Sequence, residues 1–455
     1  METMSAEIVT DASRVLRPGG WLIMELGVCE AAAQFRLPCL LCLPAGHAIL
    51  YQMKIIGREI PCSRDLPEQP GTAMMIRRLA GVTLAALALG VALAGGQVKP
   101  RLLVELPAYA VTPDGMAIAP DGDLVVACPN FASYAKGAAT PSVPGCFVKI
   151  GKDGRVRKWF DSPVLAETGR SCPMGIEFGP EGELYAVDNQ NWGTGNGPNG
   201  EVNQGRILRL KIAGGKLAGT TVVAKGISHP NGLRYHQGQI YVTVSKLPKI
   251  KRPDGLMVSA VYRFPADGRE IQVSDTLADP NLLVTFVTEN RYAQYGADGI
   301  VFDSKGRLYV GNFGDGKIHR IVLDANGKVS ENTIFARTDH DYSLDPAVPG
   351  FLAKAVKAKM RSTDGICVDK ADNLYVADFS NNAIAKVTPA GMISVLAQNG
   401  DTGGRNGDLN EPGEPVVWQG RLVISNFDAV IEPDKVNQHH ESPATMSVLE
   451  LGEAK

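Results

Sequence analysis

The chain has 455 residues, with 46 Lys and Arg against 48 Asp and Glu, a net charge of −2 and 44% hydrophobic residues. So even a balance leaves no electrostatic footprint for nucleic acid or for an anionic membrane surface. The apolar content, together with 50 Gly, excludes a disordered chain and fits a packed, turn-rich protein.

Residues 1–74 carry no complete motif. Ser13–Gly27 (SRVLRPGGWLIMELG) is similar to a strand-and-turn fragment of a class-I methyltransferase but has no Gly-rich cofactor loop. Cys39 and Cys42 form a C-x-x-C without a matching pair or a nearby His to complete a zinc set. This stretch is expected to be a non-functional extension ahead of a true start at Met74 or Met75. Residues 75–94 (MIRRLAGVTLAALALGVALA) then pair basic Arg77 and Arg78 with an apolar core, Leu79–Ala94, that ends in Ala92-Leu93-Ala94. That is the signal-peptide pattern, and the core is short for a membrane span. The expected location is periplasmic or secreted, with no stable membrane span after cleavage.

Residues 95–455 read as a single unit. A short strand, Arg101–Leu106 (RLLVEL), precedes a phrase that recurs six times. The copies are TPDGMAIAPDGDLVVA from Thr112, CPMGIEFGPEGELYAV from Cys172, HPNGLRYHQGQIYVTV from His229, GADGIVFDSKGRLYVGN from Gly296, STDGICVDKADNLYVAD from Ser362 and a degenerate PGEPVVWQGRLVIS from Pro412. Short apolar or alternating runs divided by Gly turns predict antiparallel strands. Gly115, Gly175, Gly232, Gly299, Gly365 and then Pro415 fall at intervals of 60, 57, 67, 66 and 50 residues. A four-stranded propeller blade needs about 40–50 residues, and the surplus fits loops.

Each copy supplies the two inner strands of a blade, and the following chain supplies the outer two. These outer pairs read Cys146–Ile150 with Arg155–Phe160, Arg206–Ile212 with Thr220–Ala224, and Ala260–Phe264 with Glu270–Val273. The sixth copy has only one later strand, Met446–Leu451, so Arg101–Leu106 is predicted to pair with it and close the ring without an open edge. The predicted fold is all-β: a six-bladed β-propeller closed by its N- and C-terminal strands, expected to be a monomer. Cys128 and Cys146 bracket one loop and are the pair expected to form a disulfide in an oxidising compartment. Cys367 reads as a buried small hydrophobe.

Turns on one face are tight (Pro120-Asp121-Gly122, Pro180-Glu181-Gly182, Ala325-Asn326-Gly327), whereas every long insertion falls on the other: 127–145, 188–205, 245–259, 275–297, 336–363 and 426–445. A site therefore belongs on the elaborated face. Phe351–Met360 (FLAKAVKAKM) reads as a short amphipathic helix able to lid the channel. The residue before each repeat Gly begins an innermost strand on that face, which predicts a ring of Asp114, Met174, Asn231, Asp298, Asp364 and Glu414. Four carboxylates and an amide at a channel mouth are oxygen-only ligands for a hard cation, calcium before magnesium or manganese. Alternatively, Asp-Gly at each blade is turn chemistry, with the carboxylate capping local amides.

The repeats, from about Leu102 to Leu451, resemble the senescence-marker-protein/gluconolactonase family (regucalcin and its bacterial lactonase relatives), which shades into NHL-repeat and paraoxonase-like propellers. In that family a Glu-Gly-Pro, an Asn-Gly and an Asp-Gly on successive inner strands hold the metal. The resemblance places Asp114, Asn231 and Asp298 in those positions, with Asp for Glu in the first. It implies a metal-dependent hydrolase of a small-molecule lactone or ester, in which Asp298 or Asp364 takes a proton from water, His229 is a second base, and Arg170 and Glu414 bind substrate. The family's Arg-x-Asn-Asp-Gly substrate motif would fall at Arg170–Gly175, where this chain has RSCPMG, so sugar-acid lactones are disfavoured. The competing expectation is a non-catalytic NHL-like propeller that binds a peptide, glycan or protein partner; a lyase is a third.

Overall fold

The chain divides into two units, Met1–Gly95 and Gly96–Lys455. The structure, a computed structural model, describes residues 97–451 apart from 135–139, 191–202, 340 and 343, together with four short strands in the first unit. Those four, Glu25–Val28, Phe35–Pro38, Lys54–Ile55 and Arg58–Glu59, join in sequence order as a small antiparallel sheet. The expected signal segment, 75–94, lies outside the described residues.

In the second unit the six copies become six blades of four antiparallel strands, the second with a short fifth strand added outside. Their innermost strands are Met116–Ile118, Pro173–Phe178, Pro230–His236, Ala297–Phe302, Ile366–Val368 and Pro412–Trp418. The sixth blade runs Pro412–Trp418, Arg421–Asn426, Thr445–Glu450 and Arg101–Glu105. Its register sets Thr445 against Glu105 and Val448 against Arg101. The predicted closure by the two ends of the repeat region is therefore present, and the six-bladed architecture holds. The tight turns are made as expected, with Gly122, Gly182 and Gly327 at φ of 84°, 80° and 72°, values an L side chain rarely adopts.

Neighbouring blades pack through apolar clusters. One joins Val125, Ala127 and Phe147 of the first blade to Ile176, Ala186 and Leu208 of the second. Another joins Val301 and Ile318 of the fourth to Ile366 and Val376 of the fifth.

At the axis the packing is tighter still. Four inner strands carry a bulge at the repeat Gly, where the register slips between Pro173 and Ile176, Pro230 and Leu233, Ala297 and Ile300, and Pro412 and Pro415. Gly115 lies on Met174, Gly175 on Asn231, Gly232 on Asp298, Gly299 on Asp364 and Gly365 on Gly413. A Cβ on Gly232 would sit 2.6 Å from the carbonyl oxygen of Asp298. The repeat Gly is thus required by close backbone approach inside an inner strand and not by a turn.

Two sequence expectations need correction. Glu270–Val273 is not the outer strand of the third blade: Ile271–Gln272 adds in parallel to the outside of the second blade, and Leu282–Val287 takes the expected place. Leu282–Val287 (LLVTFV) lies in what read as a loop, and its antiparallel pairing with Val258–Pro265 outcompetes the shorter run. The helix expected over Phe351–Met360 is a single turn and a half, Phe351–Ala355.

The axial approach makes a direct prediction. Gly299→Ala puts a methyl against backbone that cannot swing aside, and should destabilise by about 3 kcal/mol, the upper end for overpacking. Gly214→Ala, at φ 56° with nothing near its Cβ, should cost only about 1 kcal/mol of left-handed strain. Urea unfolding of the two variants measures the difference.

Candidate functional site: a buried carboxylate ring

The Gly contacts bring the preceding residues together in ring order, and a Cβ on Gly413 would lie 3.3 Å from Asp114 Oδ1, which closes the ring. Asp114 and Asp298 are 5% and 2% exposed, while Asp364 and Glu414 keep some surface in the channel. Burial, followed by the Glu414 charge, pushes Asp114 up to about 8. Asp298 rises well above the usual carboxylate range through burial, then Asp114 and Glu414. Asp364 does the same through burial, then Asp298, Asp114 and Glu414. Among the described residues the main causes of these three shifts are burial and neighbouring carboxylates.

Asp114 and Asp298 do not cap turns, whereas Asp364 takes a hydrogen bond from the neighbouring Gly365 amide. That work is done elsewhere: Asp303 Oδ1 accepts from the Lys305 and Arg307 amides at 2.9 Å, and Asp324 Oδ1 from Asn326 and Lys328 at 2.8 Å. Asp114 Oδ2, by contrast, is buried with no hydrogen-bond partner. The ring is therefore an oxygen-rich position, which is the donor chemistry of a hard divalent ion. Among the described residues no three His, Cys, Asp or Glu side chains already converge on one ion position; the amide of Asn231 is a further oxygen donor of the ring.

Below the ring the channel is crossed by a side chain that sequence reasoning missed. Arg234, three residues along the inner strand from Asn231, reaches Glu414 Oε1 at 2.6 Å and the Ile366 carbonyl at 3.1 Å, with Glu177 at 3.8 Å. Glu414 is thereby the one ring carboxylate with a fixed counter-charge, so its role here is to hold Arg234 across the channel. A charged residue amid an apolar inner strand (GLRYH) was the available signal.

Above the ring sits an aromatic collar, also missed. Tyr134, Phe131, Phe427, Phe379, Phe313, Tyr295 and His229 form an unbroken series of ring contacts, with centroids 5.6–6.5 Å apart. Phe427 lies against the Gly413 position, and Phe131, Phe379 and Phe427 share one apolar cluster with Met174 of the ring. Four of these rings come from a local repeat, Asn130-Phe131, Asn312-Phe313, Asp378-Phe379 and Asn426-Phe427, directly after or near the end of the second strand of a blade. The Asn or Asp holds the chain entering the same blade: Asn130 accepts from the Val111 amide at 2.9 Å, and Asp378 from the Arg361 and Ser362 amides at 2.9 Å. The Phe then covers the mouth. Burial first, then the neighbouring carboxylates, raises the pKa values of the ring aspartates. Tyr295 reaches inward as well, with its hydroxyl 3.4 Å from Asn231 Nδ2.

The other expected site residues lie farther from the ring. His229 is 6% exposed with φ 43°, and its Nδ1 faces the Ser228 hydroxyl at 3.1 Å. Burial, then the Lys246 charge, lowers it to about 3, so the imidazole is neutral and a weak base. Arg170 is buried; it donates to the Gln190 carbonyl, and its own carbonyl accepts from Gln190 Nε2 at 3.2 Å. Its charge is felt by Tyr134 and Cys172 and not by the ring aspartates. Cys128 and Cys146 face each other across neighbouring strands, yet both thiols are free, that of Cys146 lying 3.2 Å from the Tyr109 carbonyl. The expected disulfide is not formed in this structure. His439 and His440 pair separately with Asp401 and Asp428.

No family model matches the sequence, and no curated protein matches it. Solved structures resemble the fold. A gluconolactonase of Xanthomonas campestris is 16% identical over 79% of this chain and 92% of its own, with a TM-score of 0.45. Regucalcin of Agrobacterium tumefaciens, described as a calcium-binding protein, is 11% identical over 78% and 94%, at 0.44. Virginiamycin B lyase of Staphylococcus aureus is 12% identical over 78% and 100%, at 0.42. The likeness is one of fold.

Two measurements follow from the electrostatics. Arg234→Met strands the Glu414 carboxylate and should destabilise by about 3 kcal/mol, since breaking a buried pair leaves an uncompensated charge; adding Glu414→Gln should recover most of it. In chelator-treated protein the ring aspartates take up protons more readily folded than unfolded. Stability should therefore fall as pH rises from near 4, where an unfolded Asp titrates, through about 8 for Asp114. Melting temperature against pH checks this, and Asp298→Asn should flatten the decline.

Proposed function

We propose that the ring binds one divalent cation, calcium first, and that the chain is an exported hydrolase of a small lactone or ester. The observation that carries this reading is the set of buried aspartates with an unpartnered Asp114 Oδ2 among them, their pKa values raised by burial and by one another. Asp114, Asn231 and Asp298 would hold the ion, which when bound supplies Lewis-acid polarisation of a carbonyl. Asp364 keeps some exposed surface and a raised pKa, which suits a carboxylate that takes a proton from water. Arg234 pairs Glu414, the fourth carboxylate of the ring. The collar orients an entering acyl group and excludes bulk water.

One observation favours the other reading, a propeller that binds a partner without turnover: the rings from Phe131 to Tyr295 stand in mutual contact, an apolar series that a partner could meet. The two readings separate in one experiment on chelator-stripped protein. With calcium restored, a lactone and ester panel should show saturable hydrolysis, and Asp298→Ala should lose both the calcium-induced rise in melting temperature and at least a hundredfold of turnover. Asp364→Asn should keep the calcium shift and lose turnover by about 10²–10⁴-fold. A calcium shift with no hydrolysis by the unaltered chain would leave a metal-binding, non-catalytic propeller.

A further inference from the structure

The elaborated face carries a strongly basic segment beside the collar. The insertion 245–259 (SKLPKIKRPDGLMVS) follows the second strand of the third blade and sets Lys246, Lys249, Lys251 and Arg252 against a single acid, Asp254. Arg252 is committed to that acid, with its Nε 2.9 Å from Asp254 Oδ1. Lys249 donates to the Ser274 carbonyl at 2.9 Å and acts on the Asp275 carboxylate. Lys251 and Arg291 are exposed, and Arg291 joins the segment by donating to the Asp254 carbonyl at 3.2 Å. The acids of the neighbouring insertion are engaged: Asp275 and Asp279 are buried, Asp279 Oδ2 takes the Ser274 amide at 2.6 Å, and Glu289 is paired with Lys317 at 2.5 Å.

Lys246 is the member that reaches the collar. It is half-buried, its Nζ lies 5.2 Å from the Tyr295 ring centroid, and its charge acts on His229. The Tyr295 hydroxyl stands 3.4 Å from Asn231 Nδ2. One tyrosine ring therefore lies between the ammonium and the amide of the carboxylate ring.

We propose that the substrate of this hydrolase carries a free carboxylate, and that Lys246 is the residue that binds it. The inference rests on the hydrolase reading above and adds the substrate's charge and length. A compact ammonium with three rotatable donors takes a carboxylate without fixing its approach to one plane. The exposed Lys251 and Arg291 raise the local concentration of an anion at the same rim. The carboxylate and the scissile carbonyl should then be separated by about one aromatic ring, the interval that Tyr295 spans.

The probes are 4-acetoxybenzoate and its methyl ester, two acetate esters that differ in the free carboxylate, given to the calcium-loaded full chain. The expected result is a kcat/KM about tenfold or more higher for the anion, carried by KM, as one charge-assisted hydrogen bond provides. Sodium chloride should erode the preference, Lys246→Met should bring it near parity and Lys246→Arg should restore it. Parity in the unaltered chain, or a preference that survives Lys246→Met, overturns the inference and leaves the hydrolase reading standing. Hydrolysis of neither ester moves the test to binding. There 4-acetamidobenzoate, which has no ester to cleave, should raise the melting temperature saturably, its methyl ester should not, and Lys246→Met should lose the rise. Absence of that rise overturns the inference whatever the lactone and ester panel shows.

Discussion

Everything at the centre of this molecule depends on how closely six inner strands meet. At the repeat Gly the backbone of one blade lies where a side chain of the next would begin, so each blade delivers its preceding residue to the same short ring. That approach fixes the channel's width and leaves Asp114, Asp298, Asp364 and Glu414 no choice of neighbours. Like charges in so small a space are tolerated only if they are protonated, paired or shared by a cation. Glu414 takes the second course through Arg234. The three aspartates are left with the first or the third.

The surroundings sharpen that choice. Arg234 crosses the channel beneath the ring and spends its charge on Glu414 and Glu177, so little of it reaches the aspartates. Overhead, the aromatic collar replaces water with hydrocarbon. Each feature raises the free energy of bare carboxylates, and a folded protein carries such a burden mainly where the groups have work to do. A ring built only as turn chemistry would have had every carboxylate bonded to backbone amides, as Asp303 and Asp324 are; of the three aspartates only Asp364 has such a bond, from Gly365.

Much of this was legible in the sequence. The blade count, the closure of Arg101–Glu105 on Thr445–Glu450 and the membership of the ring all follow from one phrase and its spacing. What failed to show is instructive. The function of the repeat Gly was hidden because Asp-Gly is also the commonest hairpin signal, and only the packing of adjacent blades distinguishes a bulge from a turn. Leu282–Val287 was lost inside a long insertion, where the nearer Glu270–Val273 offered an equally good pattern. Arg234 and the collar lie in plain view as GLRYH and as repeated Asn-Phe or Asp-Phe, but their meaning depends on contacts between residues far apart in the chain. Arg170 shows the converse: a basic residue near the expected motif position turns out to latch a loop through Gln190.

The central claim is that the ring exchanges protons for a divalent cation. Calorimetric titration of calcium into chelator-stripped protein at pH 7, repeated in buffers of different ionisation heat, counts both the ions bound and the protons released. The account predicts one ion per chain with release of at least one proton, both lost in Asp298→Asn. Absence of binding, or binding that releases no proton and survives Asp298→Asn, would contradict it and leave the ring as a set of buried, protonated acids.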